Sequence, residues 1–85
     1  MPYIHPENRD RFTYLDSELE SLCKYDKLNA GEIQYIIALM IKHSRPENYQ
    51  DMNDVMGALA GAQMEFYRRT VAPYEDTKIT LNGDV

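Results

Sequence analysis

The sequence predicts an all-α fold, a small helical bundle of about three helices whose C-terminal helix is kinked. Three observations point to it. Apolar residues recur at three- and four-residue spacing in three separate stretches. Cap and stop residues stand at the ends of those stretches. No stretch keeps the two-residue alternation of a strand.

The first helix carries Phe12, Leu15, Leu19 and Leu22, whose spacing makes one apolar stripe. Asp16, Glu18 and Glu20 lie off that stripe and face water. Pro6 starts a short turn ahead of it, since proline is tolerated at a first helical position. The second helix has the clearest start: Asn29 is a good N-cap, and Glu32 stands three residues on, as in a capping box. Ile33, Ile36, Ile37 and Met40 share one face, while Tyr35 and Leu39 occupy another. A helix apolar over most of its circumference is expected to be central and covered by neighbours. Lys42, His43 and Arg45 complement the dipole at its end, and Pro46 blocks continuation.

The third helix starts near Asn48 to Asp51 and runs to about Thr70. Met52, Val55, Met56, Leu59, Gln63 and Phe66 mark its inner face. Gly57, Ala58, Ala60, Gly61 and Ala62 form a cluster of small residues. Each mid-helix glycine costs about 1 kcal/mol relative to alanine, and close approach of another helix is the natural compensation. Pro73 kinks or restarts the helix, and Asn82-Gly83 is a stop signal.

Size and composition narrow the functional classes. The 85 residues make a single helical domain, 1–85. A chain this short buries only roughly 60% of its unfolded surface, so association is a natural source of stability. One cysteine, Cys23, excludes an internal disulfide and suits a reducing compartment. His5 and His43 are the only histidines, and neither stands in a cluster with ligand spacing, so no metal and no cofactor are expected. A net charge of −5, from 14 acidic and 9 basic residues, opposes direct nucleic-acid binding. No signal peptide and no membrane-length apolar run is visible, which reads as a soluble, cytoplasmic chain.

Four constellations carry chemistry or recognition. In the tail, Tyr67, Arg68, Arg69, Tyr74 and Lys78 interleave aromatic and cationic groups. If the helix continues through Pro73, Tyr67, Tyr74 and Lys78 fall near one face. They are the candidate ligand-binding set, with guanidinium forks gripping a phosphate or carboxylate and tyrosines stacking on a ring. The plainer reading has Phe66 and Tyr67 packing, Glu65–Arg69 as a surface ion pair and Tyr74 anchoring the kink. The second constellation is the candidate interface, Gly57, Gly61, Leu59 and Tyr35, either a contact between subunits or close packing inside one. Cys23 with His5 or His43 makes a nucleophile–base pair only on paper, because no oxyanion hole or orienting group accompanies it; a small buried apolar residue is the simpler reading. The many carboxylates fit a solvated helix face. The seven tyrosines suit wet contact surfaces or the edges of a small core.

The strings Met1-Pro2-Tyr3-Ile4, Gly31-Glu32-Ile33-Gln34-Tyr35-Ile36-Ile37, Glu65-Phe66-Tyr67-Arg68-Arg69, Pro73-Tyr74-Glu75 and Asn82-Gly83-Asp84-Val85 together resemble a family of small uncharacterised proteins of bacteriophages and bacteria. The resemblance spans nearly the whole chain and is most specific in the tail. It implies a compact helical protein and carries over no catalytic residue. The resemblance implies that relatives often carry Asn at the position of Gln34 and Glu-Cys at that of Ala60-Gly61, so no function here rests on a carboxylate or thiol at those sites.

The sequence is therefore read as a non-enzymatic, self-associating binding or regulatory protein of phage type, counter-defence included, that acts by binding a host protein in the host cytoplasm. The alternatives are a sequestering binder of a small anionic ligand such as a nucleotide signal, and a structural oligomer.

Overall fold

The computed structural model describes residues 4–85; Met1, Pro2 and Tyr3, which open the N-terminal string, lie outside the described residues. The described chain is all-helical. It divides into two units, residues 4–47 and Asn48–Val85, and each is built by its own local rules.

The first unit opens with two 3₁₀ turns, Pro6–Asn8 and Asp10–Phe12, followed by α1, Thr13–Cys23. Pro6 takes the first position of its turn, where a missing N–H costs nothing. The Thr13 hydroxyl donates to the Asp10 carbonyl at 2.8 Å, tying the second turn to the start of α1. Phe12 therefore precedes the α-helix whose stripe it was expected to begin. Helix α2, Ala30–Ser44, has a complete capping box. The Glu32 N–H donates to Asn29 Oδ1 at 2.8 Å, and the Asn29 N–H donates to Glu32 Oε1 at 2.9 Å. Two N–H groups that the helix geometry leaves without partners are thereby satisfied. At the other end Arg45 is left-handed, with φ 52° and ψ 60°, and its N–H reaches the Ile41 and Lys42 carbonyls. The left-handed Arg45 ends the helix as an αL cap, and Pro46 after it cannot continue the helix.

The second unit is one continuous helical stretch. Helix α3, Tyr49–Phe66, is capped by Asn48, whose side chain accepts from the Asp51 N–H at 2.8 Å. A π turn, Tyr67–Val71, follows, and α4, Ala72–Asn82, completes it. The Ala72 N–H bonds the Tyr67 carbonyl five residues back. Pro73 lies one residue beyond. In an α-helix its ring would press on the Arg69 carbonyl, and the wider π turn relieves that clash. Gly83, with φ 84°, ends α4 by donating to the Ile79 carbonyl at 2.8 Å.

No described residue of either unit is fully buried. In the first unit Leu19, Leu28, Ile36, Ile37, Leu39 and Ile41 are half-buried, whereas Ile33 and Met40 are exposed. Within its own unit, α2 is not covered all round as a central helix would be. Cys23, expected inside, is exposed as well. The reason is local: α1 has only 11 residues against the 15 of α2, too short a surface to wrap an apolar circumference.

The caps give two expected outcomes. Asn29→Ala removes one half of the capping box and lowers stability by about 1 kcal/mol, read from thermal unfolding followed by circular dichroism. Arg45→Gly acts in the opposite direction. It relieves a left-handed side-chain clash of about 1–2 kcal/mol against a glycine entropy cost of about 0.5–1 kcal/mol, so the same measurement shows a small gain.

Candidate functional site

The tail residues are positioned by the π turn. A π turn adds one residue to the helical circuit, so everything after it is rotated by about 100° relative to an uninterrupted α-helix. In a plain α-helix Tyr67 and Tyr74, seven apart, share a face. With the π turn between them they diverge by about 120°, and Glu75 comes round beneath Tyr67 instead. The side chains follow this geometry. The Tyr67 phenol comes under the influence of the Glu75 carboxylate. Lys78 Nζ stands 5.5 Å from the centroid of the Tyr74 ring, one turn away on α4. The five tail residues thus separate into a Tyr67–Glu75 contact and a Tyr74–Lys78 contact.

Arg68 is held by the Glu65 carboxylate, an i,i+3 pair. Arg69 and Glu65, the pair expected from their spacing, line a groove of about 340 Å³ with Phe66 and Thr70. Acids are interleaved with the cations throughout: Glu65, Glu75 and Asp76 alternate with Arg68, Arg69 and Lys78. The tail is a mosaic of paired charges over apolar bodies, with Phe66, Tyr67 and Tyr74 all more than half exposed.

The candidate interface residues also divide. At about 100° per residue, Gly57 and Gly61 lie on one side of α3 and Leu59 on the opposite side, with Met52, Val55 and Phe66. A Cβ added at Gly57 or Gly61 would meet nothing within 4 Å. Within their own unit, then, neither glycine makes room for a close neighbour. Tyr35 belongs to the first unit. There it lines an apolar groove of about 530 Å³ with Leu22, Leu28, Gly31, Ile36 and Leu39. Sequence reading missed this groove. Its signal was Leu28, directly before the N-cap Asn29, where a hydrophobic staple residue stands.

The Glu75 carboxylate raises the Tyr67 phenol above the ordinary tyrosine value, first by its charge and then by accepting the hydrogen bond; slight desolvation and Asp76 add to it. Among the described residues no group of three or more His, Cys, Asp and Glu is placed to hold a metal ion. No helix of the described residues is long and apolar enough to cross a membrane.

The family model for DUF6899, a domain of unknown function, matches residues 1–85. No curated protein and no solved structure matches the chain.

The Tyr67–Glu75 contact has a signed consequence. A group whose folded pKa is raised contributes stability below its unfolded pKa and loses it as pH rises through the folded value. The contact is therefore intact at neutral pH and is lost only in alkali, as pH rises through the raised phenol value. Glu75→Gln removes the nearby anion, so the Tyr67 phenol ionises at lower pH. Phenolate absorbance, titrated against a Tyr67→Phe control, reads the change.

Proposed function

This chain belongs to the DUF6899 family, whose function is unknown, and we propose that it is a small, self-associating, non-enzymatic protein that works by binding other proteins. One observation carries the reading. No described residue of either unit is buried, while Met56, Met64, Phe66 and Leu81 stand 62% to 71% exposed. A folded protein that keeps this much large apolar surface has partners for it. The residue types suit recognition. Methionine adapts to irregular surfaces, and tyrosine presents apolar area with a polar tip. The net charge of −5 favours a basic protein surface as target and steers the encounter. In its finer form the proposal is a regulator of phage type, counter-defence included, that occupies a host protein in the host cytoplasm.

A second reading is favoured by one feature, the groove at Glu65, Phe66, Arg69 and Thr70, where a guanidinium, a hydroxyl and a ring converge. It makes the chain a sequestering binder of a small anion such as a nucleotide signal.

Native mass spectrometry of gently purified protein tests both. The first reading predicts a defined oligomer without added small-molecule mass, and a bare monomer overturns it. The second predicts added mass near that of a nucleotide, lost when Arg68 and Arg69 are both replaced by Ala. Retention of the added mass in that double variant overturns the assignment of the tail as the site.

A further inference from the structure

We propose that Asn82 is a site of spontaneous chemical modification, at which the side-chain amide is lost through a cyclic imide and a carboxylate is left behind, and that the C-cap of α4 sets the rate. The inference stands apart from the self-association reading above.

The chemistry begins in the sequence. Asparagine stands at Asn8, Asn29, Asn48, Asn53 and Asn82, and only Asn82 is followed by glycine. Ring closure needs the backbone nitrogen of the next residue to reach the asparagine side-chain carbon. A side chain on that next residue hinders the approach, and Gly83 has none. Solvent base takes the Gly83 amide proton, and the nitrogen attacks the Asn82 side-chain carbonyl carbon. A C–N bond forms, and the side-chain nitrogen leaves as ammonia with a proton taken from water. Water then opens the imide at one of its two carbonyls. One opening leaves aspartate; the other leaves isoaspartate, in which the main chain runs through the former side chain. Both residues are exposed, and a Cβ added at Gly83 would meet nothing within 4 Å, so water and base reach the site.

Two features of the fold hold the reaction back. The Gly83 N–H donates to the Ile79 carbonyl at 2.8 Å, so the attacking nitrogen keeps its proton engaged while the cap is closed. Asn82 is the last residue of α4, and ring closure requires its backbone to leave the helical conformation. Helix ends open locally at little cost, so the reaction proceeds from the frayed cap. Its products then keep the cap open. A new carboxylate at the C-terminal end of α4 opposes the helix dipole and adds one negative charge to the net charge of −5. Isoaspartate also inserts a methylene into the main chain, which carries the Gly83 N–H away from the Ile79 carbonyl. The modification therefore accumulates as the protein ages, and it loosens the helix end at which it occurs.

Ageing the whole chain at mildly alkaline pH, in native buffer and in urea, tests the proposal, with peptide mapping by mass spectrometry and an isoaspartate assay as readouts. The expected result is acid at position 82 as both isomers, formed at least roughly fivefold faster in urea, where the cap bond is absent. Thr80→Pro keeps Asn82-Gly83 but breaks the last turn of α4, and raises the rate in native buffer toward the urea value. Gly83→Ala, compared with the parent in urea so that folding plays no part, slows the reaction. An amide that stays intact at position 82 in urea, or acid that forms first at another asparagine, overturns the site. An unchanged rate in Gly83→Ala overturns the ring closure. Equal rates in native buffer and urea, or a Thr80→Pro chain no faster than its parent, overturn the role of the cap.

Discussion

An α-helix satisfies its own backbone hydrogen bonds but cannot cover its own side chains, and everything else in this molecule follows from that limit. Backbone satisfaction here is thorough. Asn29 and Asn48 cap two helices, Gly83 closes a third, and the π turn keeps the chain helical through Pro73. Side-chain burial is the opposite, with no described residue of either unit fully enclosed. Helical stability in water comes mainly from packing an apolar face, because nucleation is costly and propensity alone is weak. α3 even carries two glycines, which weaken it further. Local signals thus draw the helices, and the energy that holds them must come from surfaces meeting other surfaces.

Pro73 sets the chemistry of the tail. Its missing N–H and its ring would disrupt an α-helix, and the π turn before it absorbs both effects. The rotation this introduces decides which side chains meet. Tyr67 finds Glu75, and Tyr74 finds Lys78. What reads in sequence as a single aromatic and cationic face becomes two neighbouring pairs, each combining charge with a ring. Such a surface offers hydrogen bonds and apolar area together, as protein interfaces do.

The parts of the fold governed by near neighbours were legible in the sequence. Asn29 with Glu32, Asn48 with Asp51, Pro46 after Arg45 and Gly83 after Asn82 each act across a few residues, and the helix ends fall where they stand. The π turn was not legible, because no residue type marks it; Pro73 signalled only that regular helix was in difficulty. For the candidate interface the small residues were visible, but their division between opposite sides of α3 needs the helical angle of each. The exposure of Cys23 and of the α2 face was illegible for a different reason. Periodicity reports which residues are apolar and aligned, and it does not report what covers them.

The central claim is that association supplies burial the separate units lack, and thermal unfolding at a series of protein concentrations tests it most directly. When folding is coupled to assembly, mass action makes the midpoint rise with concentration. The account predicts that rise, together with a loss of helical circular dichroism on dilution. A midpoint and a helix content that stay constant across the series would contradict it, and would mean that the chain holds its helices by itself.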